Sequence, residues 1–134
     1  MANVGSAARF VAVAALIAGF SALAPAQAQQ GVTRTDLQQH DLSIPGREAV
    51  QVRVDIAPGA LAPPHTHFGE EIIYLLEGTM LYEVAGKPVT LKAGDVLFIP
   101  YGVVHSARNI GTVNAAELGT YVVEKGKPLV TPAK

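Results

Sequence analysis

The sequence predicts an all-β domain, a small sandwich or barrel, and three observations carry that prediction. Short apolar runs with strand character recur along the chain, Gly and Pro break them at even spacing, and no window from residue 29 onward shows a sustained, capped helical period. The clearest run has Val50, Val52, Val54 and Ile56 alternating with Gln51, Arg53 and Asp55, the period of a half-buried strand, and Pro58-Gly59 ends it. Further strands are expected at 71–76, 79–84, 88–92, 95–99, 103–109 and 115–123. Gly78, Ala85-Gly86, Ala93-Gly94, Pro100–Gly102 and Gly111 separate them. Glu77-Gly78 and Ala85-Gly86 before Lys87 read as hairpin turns. The barrel is expected over about 36–123. Residues 29–35 and 125–134 read as arms outside the core, either loose or clasping a second copy in a homodimer.

The chain has 134 residues, the size of one domain, and 49% of them are hydrophobic, ample for a packed core. The formal net charge is -1 and no block of like charges occurs, which argues against a nucleic-acid partner. Cysteine is absent. Disulfides, thiolate metal sites and cysteine nucleophiles are thereby excluded.

Residues 1–28 have the layout of a secretory signal peptide. Arg9 precedes an apolar run from Phe10 to Leu23, Pro25 breaks it, and Ala26-Gln27-Ala28 offers small residues at both positions that a signal peptidase reads. Cleavage is expected between Ala28 and Gln29, and the run is short for a membrane span of about 20 residues. No twin-arginine pair accompanies Arg9, so export of the unfolded chain is expected. The mature chain, 29–134, is then a single periplasmic or secreted domain without a membrane segment.

The mature chain holds four histidines, three of them in one pattern with a glutamate. His65 and His67 lie two apart, so on a strand both rings project from one face; Glu71 follows after Phe68-Gly69, and His105 comes after Pro100-Tyr101-Gly102. Three imidazoles and one carboxylate suit one borderline divalent ion such as Fe, Mn, Ni, Co, Cu or Zn, whereas calcium and magnesium prefer oxygen donors. A lone buried histidine is more often a hydrogen-bonded core residue, so these four residues alone leave metal binding open.

The surrounding glycines and prolines bear on that choice. Gly59, five residues, His65-Thr66-His67, three residues, Glu71, six residues and Gly78 make one motif. Gly94, five residues, Pro100-Tyr101-Gly102, two residues, His105, three residues and Asn109 make a second. The pair resembles the two motifs of the cupin superfamily, and the intervening residues 79–93 resemble the short spacer of small, single-domain, quercetinase-like cupins. The resemblance implies a small cupin β-barrel, a double-stranded β-helix or jelly roll, over 29–134. It also implies that His65, His67, Glu71 and His105 hold one divalent transition-metal ion.

Strand parity then predicts a lining. If His105 points inward, so do Val103, Ala107 and Asn109; if Glu71 does, so do Ile73 and Leu75; Val54 and Ile56 face the core as well. A largely apolar substrate pocket of Val54, Ile56, Ile73, Leu75, Val103 and Ala107 is therefore expected around the metal, with Glu70 and Arg108 outside and no cationic clamp within. Asn109 is expected to have a structural role. The resemblance implies a metal-dependent enzyme, dioxygenase-like, acting on a small organic molecule, with Glu71 as both ligand and proton acceptor. Two alternatives stay open: a non-catalytic cupin that binds a metal or small molecule, and an oxygen-independent decarboxylase or lyase.

Overall fold

The computed structural model describes residues 30–133; the expected signal peptide lies outside the described residues. There are ten strands and no helix among them. They are β1 Val32–Asp41, β2 Arg47–Ile56, β3 Leu61–Thr66, β4 Gly69–Glu77, β5 Thr79–Val84, β6 Lys87–Lys92, β7 Val96–Ile99, β8 His105–Asn109, β9 Ala115–Glu124 and β10 Thr131–Pro132. Two antiparallel five-stranded sheets result, in the orders β1-β2-β9-β4-β7 and β10-β3-β8-β5-β6. This is the small barrel that the apolar periodicity predicts and the jelly roll that the cupin resemblance implies.

The two sheets enclose a core that includes Val52, Val54, Ile56, Ile73, Leu75, Met80, Ile99 and Val123. Alternation along each strand puts it there. In β4, Glu71, Ile73 and Leu75 are buried while Ile72, Tyr74 and Leu76 face outward, the two-residue period of a pleated strand. On the outer face Ile72 stands opposite Phe98 and Tyr74 opposite Val96, leaving an apolar row on the solvent side of β4 and β7.

Three expectations need correction. The N-terminal segment is not a loose arm: β1 pairs with β2 along its length, with Val32 opposite Ile56 and Arg34 opposite Val54. Its polar composition hid it, because nine of its ten residues are exposed and only Val32 is buried. The C-terminal segment also joins a sheet, where Thr131 pairs with Thr66 and Pro132 with His65. Finally, Glu77-Gly78 is no hairpin turn, since β4 and β5 belong to different sheets. Gly78 takes φ 84° at this crossing, backed against Ala115, where an added Cβ would lie 2.6 Å from the Ala115 Cβ. Ala85-Gly86 is the tight turn expected: both residues have positive φ, and Val84 faces Lys87 across it.

Strand β3 has no counterpart among the expected strands. Pro63 and Pro64 lack amide donors, and the β3–β8 ladder shifts register between Ala62 and His65, which accommodates them. The ladder resumes with His65 opposite His105, bringing the first and last histidines of the motifs side by side.

Candidate metal centre

Three strand ends and one link deliver the candidate ligands. His65 comes from β3, His67 from the link just after it, Glu71 from the start of β4 and His105 from the first position of β8. All four are buried, none more than 8% exposed. The ring centroids of the three histidines lie 4.3–5.0 Å apart. Their nearest ligand atoms all fall within 4.8 Å of one another. Two donors on one ion at about 2.1 Å stand at most about 4.2 Å apart, so closure onto an ion needs only small ring movements.

The hydrogen bonds fix which ring nitrogen faces inward. Nδ1 of His65 lies 2.7 Å from the Pro63 carbonyl oxygen, Nδ1 of His105 lies 2.9 Å from that of Val103, and Nδ1 of His67 meets that of Leu129. A carbonyl oxygen only accepts, so each Nδ1 carries the proton and donates it. A neutral ring held this way has a bare Nε2 lone pair to offer an ion, and without an ion a proton on Nε2 of His67 or His105 can be donated to Glu71. The Nε2 atoms of His67 and His105 both stand 3.1 Å from Oε2 of Glu71. Neutral imidazoles whose outer N–H groups are held by carbonyls, gathered at one carboxylate, form the donor set of a divalent cation. The fit is to a metal ion whose identity the donor set does not select.

Electrostatics suit ligation at Glu71 and His65, whereas at His105 burial lowers the ring's pKa but the hydrogen bond to Glu71 and that to the Val103 carbonyl outweigh it and raise it. Burial pushes the Glu71 carboxyl up, but hydrogen bonds from His105 and His67 outweigh it and hold the group at about 2. Burial, with the nearby His105 charge, lowers His65 to about 4. The carboxylate is charged and His65 neutral at physiological pH, the protonation states that ligation requires.

Beside these residues is a cavity of about 10 Å³, room for one water-sized occupant. Val54, Ile73 and Ala107 of the expected lining border it. Ile56 and Leu75 are fully buried core residues elsewhere, and Val103 packs against the core half-buried. The lining is more polar than expected, because Arg34, Tyr82, Glu117 and Tyr121 also border the cavity. A cationic residue, itself exposed, therefore does border this cavity, contrary to expectation. The reason is register: Arg34, Val54, Glu117 and Leu75 pair in one row across β1, β2, β9 and β4, and directly paired residues share a face. Glu117 and Tyr121 were missed, although they share the parity of Val123 along β9; Arg34 could be found only by knowing that the N-terminal segment is a strand.

Glu117 is 6% exposed and accepts a hydrogen bond from the Tyr82 hydroxyl. Burial first, and then the charge of Glu71, raise its carboxyl to about 8. A second cavity, of about 350 Å³, lies at the C-terminal segment and is bordered by Leu37, Gln39, Glu48, Val50, Val123 and Leu129. Asn109 is 1% exposed; its amide nitrogen donates to the carbonyls of Ile56 and Val113, and its oxygen accepts the Gly111 N–H. It ties the β8 end to two neighbouring segments, the structural role expected of it.

Comparison with known proteins accords with this geometry. The germin-like protein subfamily 2 member 1 of Arabidopsis thaliana is 39% identical over 89 residues, covering 60% of this chain and 41% of that protein. The chain thus spans about two-fifths of the length of such relatives. The tetracenomycin polyketide synthase protein TcmJ of Streptomyces glaucescens is 35% identical over 106 residues, covering 78% of this chain and 69% of that one. Among solved structures, an oxalate oxidase superposes with a TM-score of 0.65 at 24% identity, over 80% of this chain and 57% of the other, a likeness of fold. The family model described as a cupin domain matches residues 52–124, more than half of the chain and all four candidate ligands. By that match, its jelly-roll barrel and its cluster of three histidines, the chain belongs to the cupin family.

Proposed function

We propose that this protein is an exported metal-binding cupin that works as a metal-dependent enzyme, dioxygenase-like, on a small organic molecule. The observation that carries the reading is the triple tethering of Nδ1 to backbone carbonyls, which leaves three Nε2 atoms for an ion, those of His67 and His105 beside Glu71. His65, His67, Glu71 and His105 are the proposed ligands. When bound, the ion supplies Lewis acidity and, for iron or copper, one-electron chemistry.

The chain's own residues have separate tasks. Glu71, charged and buried, accepts a proton from the substrate if its carboxylate swings off the metal position. Tyr82 and Glu117 offer hydroxyl and carboxyl donors on the neighbouring wall. The cavity of about 350 Å³ beside the C-terminal segment has the volume of a small-molecule site, with Leu37, Val50, Val123 and Leu129 as its apolar surface and Glu48 and Gln39 as its polar groups. Export rests on the 1–28 layout, and a homodimer on the outer apolar row of Ile72, Tyr74, Val96 and Phe98.

One observation favours a second reading. The cavity at the histidines has room for about one water-sized occupant, which suits metal binding without turnover. Oxygen uptake by protein isolated from the periplasm, with its metal content measured, separates the two readings. Consumption of oxygen with a flavonol, catechol or oxalate supports the dioxygenase. Substrate loss without oxygen uptake supports a decarboxylase or lyase, and no turnover with full metal occupancy supports the binder.

A further inference from the structure

Strand β9 passes the candidate metal centre with its inward positions in the order Glu117, Gly119, Tyr121. Tyr121 pairs with Glu71 on β4, and Gly119 pairs with Ile73 on β4 and Val52 on β2. Glycine in a strand interior weakens the strand, and this one lies in a buried row with no unusual backbone angle to require it. Space is what it supplies. A Cβ at Gly119 would stand 2.8 Å from the Tyr121 hydroxyl oxygen, 2.9 Å from Cε2 and 3.0 Å from Cζ.

The phenol of Tyr121 therefore folds back along its own strand over the bare backbone of Gly119. In that place it meets one candidate ligand and stands opposite a second. Its ring meets the His67 ring edge-on, with centroids 4.9 Å apart at 69°, and the residue stands directly opposite Glu71 across the β4–β9 ladder, where paired side chains share a face. It is 3% exposed, so packing holds it there.

We propose that Gly119 and Tyr121 form one positioning device for the metal centre: the missing side chain at 119 seats the phenol, which braces His67 with its ring and Glu71 with its hydroxyl. Tyr121 is a positioning residue acting through the ligands, and Gly119 acts through Tyr121. The inference rests on the metal reading of the four residues.

The test uses purified protein loaded with Co(II), whose visible absorption reports ligand geometry, and the rate at which excess chelator removes the ion. Tyr121→Phe keeps the ring and removes the hydroxyl; Gly119→Ala keeps the hydroxyl and displaces it. Each should shift the Co(II) spectrum and speed metal loss about tenfold, the usual scale for partners that orient ligands. The double variant should behave like either single one, because both remove the same contact. Unchanged spectra and rates in Tyr121→Phe overturn the proposal, as do effects that multiply in the double variant. If Gly119→Ala does not fold, Tyr121→Phe decides alone. Wild-type protein that takes up no Co(II) overturns the metal reading itself, an outcome distinct from uptake with an indifferent Tyr121.

Discussion

His67 donates its Nδ1 proton to the carbonyl oxygen of Leu129, 62 residues further along the chain, so the C-terminal segment orients a candidate metal ligand. That segment is held down by the pairing of β10 with β3 and by the Ala133 amide on the Pro64 carbonyl.

A chain ending at Gly126 should therefore keep its barrel and lose metal affinity by about 10–100-fold, the scale found when a ligating imidazole loses its outer hydrogen bond. His67→Ala should lose most of the affinity, since it removes a donor outright. Both should stay folded, because the core is packed by aliphatic side chains. Competition against a mild chelator measures the affinity and thermal melts check the fold. Full metal occupancy in His67→Ala would require the site to be redrawn.

Glu117 makes a pH dependence testable in metal-stripped protein. Its folded carboxyl is raised to about 8 from an ordinary value of 4.5, so between those pH values the native state binds more protons than the unfolded chain. The group's contribution is fully present below about pH 4.5 and is lost as pH rises through about 8. Stability should fall by about 2–4 kcal/mol over that window. Glu117→Gln keeps an acceptor for Tyr82 and cannot ionise, so it should flatten that part of the profile. Denaturant melts at pH 5 and pH 8 give the comparison; parallel profiles for the two proteins would refute the assignment.

Gly69 begins β4 where it presses against β9. A Cβ there would lie 2.1 Å from the Val122 carbonyl oxygen and 2.6 Å from the Val123 Cα. Both are backbone atoms that cannot rotate away, so Gly69→Ala should cost about 3 kcal/mol and disturb Glu71, two residues on. Gly59→Ala makes a suitable control, with nothing within 4 Å of the added Cβ. Its cost should come from positive φ alone, about 1–2 kcal/mol. Equal losses in the two variants would show that the β4–β9 approach is not tight.

Asn109 serves three backbone groups at once. Asn109→Leu strands two carbonyls and an amide in a buried site and should cost about 3 kcal/mol or more. Asn109→Asp keeps the acceptor for Gly111 but sets a carboxylate against the Ile56 and Val113 carbonyls, so its melting temperature should rise as pH falls and the acid is protonated. Metal affinity measured at a temperature where the variants remain folded should change little, since Asn109 touches none of the candidate ligands.

Local chemistry sufficed for much of this protein. The two-residue alternation in β2, β4 and β9 marks strands because burial on one face is written into consecutive residues. The Ala85-Gly86 turn and the spacing of His65, His67, Glu71 and His105 are equally local features. What lay beyond the sequence was pairing between distant segments. Strand β1 carries polar residues and exists because β2 offers it an edge; β10 exists because β3 does. Those pairings bring Arg34 to the cavity and the Leu129 carbonyl to His67. Gly119 likewise reads as a weak point in a strand until the fold lays Tyr121 across it. A strand's own residues set which of its faces is buried, but only the register against its neighbours decides which side chains meet there.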